Sequence, residues 1–161
     1  MPIVVKPMKT EEEIRGKALV HWRCWHEVYR DMVSRRYLEH FTEEESLKLA
    51  HKFPDKHLVA LDGDRVVGFL CYGDRGEEAP EVGEIFALYV LPEYHGKGVG
   101  QLLMAAGLKE LAAYPTLCVW ALKNNGRALR FYEKCGFFPD GQEEYFPSLE
   151  AAEIRMVRHR P

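Results

Sequence analysis

A glycine-rich loop joins a β-prone apolar segment to an apolar, helix-forming run near the middle of the chain. Its three alternate glycines are Gly96, Gly98 and Gly100. The apolar segment before them ends at Pro92, and the whole stretch covers residues 84–103. Glycine lets main-chain N–H groups turn outward and approach an anion closely, and a helix N-terminus adds roughly half a positive charge. This stretch therefore predicts a site for a phosphorylated ligand.

The spacing of the loop excludes two common phosphate sites. A Walker loop has the pattern G-x-x-x-x-G-K-S/T, but here Lys97 is followed by Gly98, which has no hydroxyl for magnesium. A dinucleotide-binding loop has the pattern G-x-G-x-x-G. The position of its third glycine is taken by Gln101 or by Leu103, depending on which glycine begins the pattern.

Two segments carry a resemblance to a known family. Residues 95–100, HGKGVG, match the acyl-CoA signature R/Q-x-x-G-x-G/A except at its first position, where His95 stands. Residues 125–137, NGRALRFYEKCGF, match the pattern N-x-x-A-x-x-F/L-Y-x-K-x-G-F. The segments occur in the expected order, with one strand between them. On these residues the second half of the chain resembles the GNAT superfamily of N-acetyltransferases.

The resemblance implies both a fold and an activity. The fold is α/β, the GNAT acyl-CoA N-acyltransferase fold, in which helices flank a central mixed sheet of six to seven strands. Residues 1–161 would form a single domain of this kind. The activity is that of an acyltransferase, which moves the acetyl group of acetyl-CoA directly to a primary amine of a small molecule or a protein in a ternary complex. No nucleophilic cysteine or Ser-His-Asp pattern suggests an acyl-enzyme, and no metal is expected.

The resemblance also implies the residues that bind acetyl-CoA. Main-chain groups of residues 88–90 would pair with the pantetheine arm like an added strand, and N–H groups of residues 95–101 would hold the pyrophosphate. Asn125 would bond the cofactor near Tyr132, although it could equally be only a helix cap. Lys134 could approach the 3′-phosphate or be a solvated lysine. The residues expected to bind the cofactor are Leu88, Tyr89, Val90, His95, Gly96, Lys97, Gly98, Val99, Gly100, Gln101, Asn125 and Tyr132.

Tyr132 and Glu84 are the candidate catalytic residues. The resemblance implies that Tyr132 protonates the departing thiolate; the alternative is an aromatic residue packed on the sheet. Strict alternation along the strand places Glu84 on the same face as Phe86, Leu88 and Val90, with a carboxylate ahead of three apolar residues. Partial burial would raise its pKa toward that of a useful base, acting directly or through water. Alternatively, Glu84 is a solvated or ion-paired residue and water alone is the base.

Three other functions stay open at this point. A non-catalytic acyl-CoA-binding or regulatory domain could keep the glycine loop. The transferase could use another acyl-CoA, such as propionyl-CoA. A nucleotide-binding protein could have reached a similar loop independently, in which case ATP or NADH would compete with CoA.

Composition limits the partners and the location. The 161 residues carry a net charge of −3, which argues against a nucleic-acid surface and suits a cationic substrate. No apolar run has the length of a membrane span and no signal-peptide pattern opens the chain, so we expect a cytoplasmic protein without a membrane partner. The four cysteines have no C-x-x-C spacing and are expected to be reduced thiols. A homodimer is compatible with the resemblance.

Sequence patterns also predict the elements that position these residues. Capping boxes at Thr10 and Thr42 begin two helices, the first with an apolar face that includes Trp22, Trp25 and Tyr29 and is expected to be core. His21 and His26 on that helix are five residues apart, which does not suit a metal pair. The helix after the glycine loop should face the sheet with Val99, Leu102, Leu103 and Ala106. Strands are expected at residues 3–5, 57–61, 66–72, 82–91, 117–122, 137–138 and 153–157, with the fourth and fifth parallel.

Overall fold

Residues 2–160, the part of the chain that this computed structural model describes, form seven strands and five α-helices. The strands are β1 (Ile3–Pro7), β2 (His57–Asp62), β3 (Arg65–Asp74), β4 (Val82–Val90), β5 (Thr116–Leu122), β6 (Phe138–Phe146) and β7 (Ala151–His159). The helices are α1 (Glu11–Glu27), α2 (Arg35–His40), α3 (Glu43–Lys52), α4 (Val99–Glu110) and α5 (Gly126–Lys134), with short 3₁₀ turns at Gly76–Glu78 and Pro92–Tyr94.

The strands form one seven-stranded mixed sheet in the order β1-β2-β3-β4-β5-β7-β6. The predicted hairpin is the antiparallel pair β2–β3. The predicted parallel pair is β4–β5, which α4 connects. All other neighbouring strands are antiparallel. The expected α/β fold with a mixed sheet flanked by helices is confirmed.

Local sequence signals fix the helix starts. At α1 the Thr10 hydroxyl accepts the Glu13 N–H at 3.1 Å, and the Glu13 carboxylate accepts the Thr10 N–H at 3.0 Å, so the predicted capping box is present. At α3 the Thr42 hydroxyl accepts the Glu45 N–H at 3.1 Å. The Glu45 carboxylate there lies 3.4 Å from Lys48 instead of accepting the Thr42 N–H, so only half of the second predicted capping box is present.

The sheet is covered on both faces. Leu70 of β3 packs against Gly107 of α4, where an added Cβ would lie 2.9 Å from the leucine side chain. Phe69, the next residue, points to the opposite face, where its ring lies 5.9 Å from that of His21 in α1. Successive residues of a strand face opposite sides, so α4 and α1 enclose the sheet between them. No helix within residues 2–160 is both long enough and apolar enough to cross a bilayer.

Three parts of the prediction were wrong or incomplete. Leu102 does not face the sheet, since 46% of it is exposed. The six-residue helix α2 has no strong apolar period and was not predicted. The last two strands are much longer than expected, because β6 is an exposed, mostly polar edge strand with no apolar alternation to reveal it.

A β-bulge in β4 corrects the predicted alternation. Ile85 pairs with Tyr72, but Ala87 pairs with Cys71, so β4 has one more residue than β3 at this point. Glu84 and Phe86 lie on the α1 face, whereas the Val90 side chain lies on the α4 face, near Gly68 and Leu103. The prediction that Glu84 shares a face with Leu88 and Val90 is therefore wrong. A single extra residue exchanges the faces of all residues that follow it.

Candidate active site

The sheet opens between β4 and β5. Backbone pairing joins Val82 to Thr116 and continues only as far as Ile85 and Val119, although both strands run on for several residues. A cavity of about 410 Å³ lies at this gap. The cavity is lined by residues of α1, β4, the glycine loop, β5, α5 and β7. Its volume is in the range of small-molecule and cofactor sites.

The main chain of β4 presents groups to the gap that no neighbouring strand pairs with. The N–H of Leu91, just after β4, donates to the Val67 carbonyl oxygen of β3 at 2.9 Å. Since main-chain groups alternate in direction along a strand, those of Leu88 and Val90 point the other way, toward the gap. This direction suits the pairing with a pantetheine arm that the resemblance implies, and that contact stays a prediction. Tyr89, also expected at the cofactor, lines the cavity but turns its side chain toward α1.

His95 lies over this main-chain edge. Its Nε2 is 2.8 Å from the Val90 carbonyl oxygen, and the Arg127 guanidinium contacts its Nδ1. Burial lowers the pKa of His95, which favours the neutral ring with Nε2 as donor and Nδ1 as acceptor. His95 therefore joins the loop to β4 and α5.

The glycine loop has the conformation that an anion site needs. Gly96 and Gly98 have φ angles of +74° and +82°, in the left-handed region that favours glycine. Gly98 is the N-cap of α4 and supplies no side-chain cap, so the first N–H groups of the helix are left for a ligand. Gly100 lies close to α5, since an added Cβ would lie 3.1 Å from the Phe131 ring and the ring would have to shift. Lys97 does not line the cavity and lies over the Tyr94 ring, 5.4 Å from its centroid.

Helix α5 adds the second predicted segment to the cavity. Asn125 caps the helix, its side-chain oxygen accepting the Ala128 N–H at 3.3 Å, so the capping role is confirmed and the cofactor contact stays a prediction. Three cationic side chains of α5 line the cavity beside it: Arg127, Arg130 and Lys134. Only Lys134 was considered from the sequence. The spacing of three between the two arginines, which places them on one side of a helix, was the available signal.

Tyr132 of α5 lines the cavity at the gap between β4 and β5. The residue is 6% exposed, and its ring is enclosed by Phe131 and Phe137. Burial raises the pKa of Tyr132, and so do the nearby Cys135 and Glu153. No hydrogen bond to a residue in 2–160 lowers it. The phenol therefore keeps its proton at neutral pH and can donate it into the cavity.

Glu84, the predicted base, lies outside this cavity. It is 3% exposed and accepts two hydrogen bonds from Arg75, at 2.7 and 2.9 Å. The Cys118 thiol approaches the same carboxylate at 3.6 Å. These residues line a separate cavity of about 210 Å³, and Trp120 lies between the two cavities. The role of Glu84 as base stays a prediction, but its carboxylate is already ion-paired.

Aromatic side chains and one carboxylate form the end of the cavity opposite the cationic residues of α5. Trp25 and Tyr29, interpreted from the sequence as core, both line the cavity, and the Trp25 indole donates to the Tyr89 hydroxyl at 3.2 Å. Glu153 of β7 also lines it and was not predicted as a site residue. Its place depends on the pairing of β7 with β5, which opposes Glu153 to Leu122.

Known proteins share the fold and parts of the sequence. The N-acetyltransferase YuaI of Bacillus subtilis, itself uncharacterised, is 27% identical over 150 residues, which cover 90% of this chain and 84% of YuaI. A mycothiol acetyltransferase of Acidimicrobium ferrooxidans is 35% identical over 95 residues, 56% of this chain but only 30% of that protein. The crystal structure of the PaiA N-acetyltransferase of Thermoplasma acidophilum in complex with coenzyme A superposes with a TM-score of 0.77 at 19% identity, covering 99% of this chain and 100% of that one.

The chain also matches a protein family as a whole. The sequence profile described as the acetyltransferase (GNAT) family matches residues 20–137, which include the glycine loop, the opened strands and α5. The chain belongs to the GNAT acetyltransferase family.

Proposed function

We propose that this protein is an acetyl-CoA-dependent N-acetyltransferase that transfers the acetyl group directly to a primary amine of a small molecule or a protein. The observation that carries the proposal is the cavity at the gap between β4 and β5. It connects a glycine loop shaped for phosphate to a buried tyrosine whose hydroxyl is free to donate. A single cavity can therefore hold a phosphorylated donor at one end and an acceptor at the other.

The residues present suit acetyl-CoA. The glycine loop and the start of α4 offer N–H groups to a pyrophosphate, and Arg127, Arg130 and Lys134 add positive charge nearby. The main chain of Leu88 and Val90 offers an edge to the amide groups of pantetheine. The Val90 carbonyl is contacted by His95, so that imidazole would have to give way if pantetheine pairs there. Bound acetyl-CoA supplies the activated acyl group as a thioester.

Tyr132 would act on the leaving group. The pKa of a thiol is about 8.5 and that of a phenol about 10, so complete transfer of the phenolic proton to a free thiolate is uphill. The hydroxyl would instead stabilise the charge on sulfur as a hydrogen-bond donor while the C–S bond breaks, giving up its proton only as it regains one from the acetylated nitrogen. The site supports direct transfer, since the cysteines that line it or lie beside it, Cys24 and Cys135, have pKa values raised by burial.

Binding should be tested before catalysis. We expect calorimetric titration to give micromolar affinity for acetyl-CoA and CoA, with no binding of ATP or NADH. Release of thiol from acetyl-CoA is then followed with primary amines as acceptors. Binding of CoA without transfer to any amine would point to a non-catalytic acyl-CoA-binding domain. A preference for ATP or NADH would refute the proposal altogether.

The expected location follows from the same proposal. Acetyl-CoA is an intracellular cosubstrate, and the four cysteines are free in the structure. We therefore place the activity in the cytoplasm, with acetyl-CoA and an amine as its partners. The homodimer suggested by the resemblance stays a prediction.

A further inference from the structure

Glu153 is the one carboxylate among residues 2–160 that lines the main cavity. The antiparallel register places it opposite Leu122 on β5 and opposite Glu144 on β6. Its side chain lies on the α1 face of the sheet, the face that also carries Trp120 and the Glu84–Arg75 pair. The cavity is thus cationic at α5, where a phosphorylated donor would bind, and acidic at β7.

No counter-charge to this carboxylate is found within residues 2–160. Burial raises the pKa of Glu153, and the neighbouring carboxylates of Glu144 and Glu84 raise it further. No cation or hydrogen-bond donor among the described residues opposes these effects. Glu84 differs in this respect, because Arg75 donates two hydrogen bonds to it. A half-buried carboxylate without a partner is placed to bind a cation from outside the chain.

The charged and titratable groups around Glu153 come from several elements. Glu84 of β4 and Glu144 of β6 act on it directly, and Tyr132 of α5 and Tyr29 after α1 line the same cavity. Arg155, two residues farther along β7, is held by Asp140 at 2.7 Å. The nearest cation on its own strand is therefore already paired.

We propose that Glu153 binds the ammonium group of the acceptor and takes its proton. The inference rests on the proposed function. The ammonium gives one proton to the carboxylate, and the nitrogen lone pair then attacks the thioester carbonyl. When the C–S bond breaks, the nitrogen loses a second proton and the sulfur gains one, with Tyr132 between them. The products are an amide, a thiol and protonated Glu153, which returns its proton to solvent.

The walls around Glu153 define the kind of amine. Trp25, Tyr29, Phe86 and Trp120 line the same cavity and offer apolar faces. One carboxylate balances one positive charge, and aromatic faces favour an apolar or aromatic body. The acceptor is therefore a primary monoamine with an apolar body, rather than a polycation that would need several carboxylates.

The test compares Glu153→Gln with the wild-type protein. Acetyl transfer to 2-phenylethylamine, tryptamine, spermidine and a tetrapeptide with a free N-terminus is measured from pH 6 to pH 10. At pH 7 we expect kcat/KM of Glu153→Gln to fall about 10²–10⁴-fold for the monoamines, with unchanged affinity for acetyl-CoA. The deficit should shrink as the pH approaches the amine pKa of about 10, because free amine then needs no base. A merely structural role would lower the rate equally at every pH.

Two neighbouring variants sharpen the comparison. Glu144→Gln removes a negative charge that raises the pKa of Glu153, so the acid limb of the wild-type profile should move to lower pH. Glu143→Gln makes the same change one residue away, where the side chain is paired with Lys123 at 2.9 Å, and should leave the profile unchanged.

Each contrary result has a distinct meaning. A threefold or smaller effect of Glu153→Gln, in a wild-type protein that does acetylate an amine, would overturn the inference and leave the proposed function standing. If Glu84→Gln, and not Glu153→Gln, showed the pH-dependent loss of kcat/KM, the role of base would belong to Glu84. A clear preference for spermidine would refute the proposed class of acceptor. Failure of the wild-type protein to acetylate either monoamine would refute the proposed class of acceptor, whereas the proposed function falls only if CoA does not bind or if no amine in the wider screen is acetylated.

Discussion

Replacing Tyr132 by phenylalanine should separate catalysis from stability. The substitution removes one hydroxyl that has no hydrogen-bond partner among the described residues and leaves the ring between Phe131 and Phe137. We therefore expect the free energy of unfolding to change by less than about 0.5 kcal/mol, which is about 2 °C in melting temperature. The maximal rate should fall about 10²–10⁴-fold, equal to about 3–5 kcal/mol in the barrier at 1.36 kcal/mol for each factor of ten.

The assay follows thiol release from acetyl-CoA at saturating amine, beside calorimetry with CoA and a thermal melt. Affinity for CoA should stay within about threefold, since the hydroxyl acts mainly on the departing sulfur. Tyr114→Phe is the matched control, because the Tyr114 hydroxyl is bonded to Asp74 away from the cavity. Tyr114→Phe should lower the melting temperature and leave the maximal rate unchanged. An unchanged rate in Tyr132→Phe would refute the assignment of Tyr132, and so would a loss of rate explained by a lower melting temperature.

Two further predictions concern stability. Arg75→Ala leaves the Glu84 carboxylate buried without its cation; because the Arg75 side chain is itself 50% exposed, we expect a cost of about 2 kcal/mol, or about 4–8 °C. Adding Glu84→Gln should recover part of that loss in a thermal melt, and no recovery would contradict the account of the pair. Although burial opposes it, hydrogen bonds from Lys6 and from two main-chain N–H groups lower the pKa of Glu13 to about 2. A group with a lowered pKa in the folded state stabilises above its unfolded value, so Glu13→Gln should cost about 1–3 kcal/mol at pH 7 by urea titration. The difference between the two proteins should disappear as the pH falls from 4.5 toward about 2, and a constant difference would refute it.

Much of the site could be predicted because it is local in sequence. The glycine loop, Asn125 and Tyr132 lie in two short segments whose spacing fixes their elements. The capping box at Thr10 is equally local, since both of its hydrogen bonds join residues three apart. The order of elements followed from these signals and from the short connections between them.

The unpredicted parts depend on pairing between distant residues. The bulge at Phe86 is a mismatch between β3 and β4, and nothing in the sequence of β4 alone reveals it. Glu153 reaches the cavity because β7 is inserted between β5 and β6, a register set by contacts about thirty residues apart along the chain. The signal that could have identified it is a carboxylate whose neighbours Ala152 and Ile154 are both apolar. That signal becomes informative only when the strand register is known.

The gap between β4 and β5 has a consequence for amide hydrogen exchange. Amides of a central strand normally exchange slowly, because each is bonded to a neighbouring strand. In β4 the N–H groups of Leu88 and Val90 face the gap, whereas that of Leu91, just after it, donates to Val67. Fast and slow exchange should therefore alternate residue by residue at this end of β4. A ligand that pairs with the open edge would slow only the fast set, so exchange at Leu88 and Val90 can report occupancy of the cavity without any turnover.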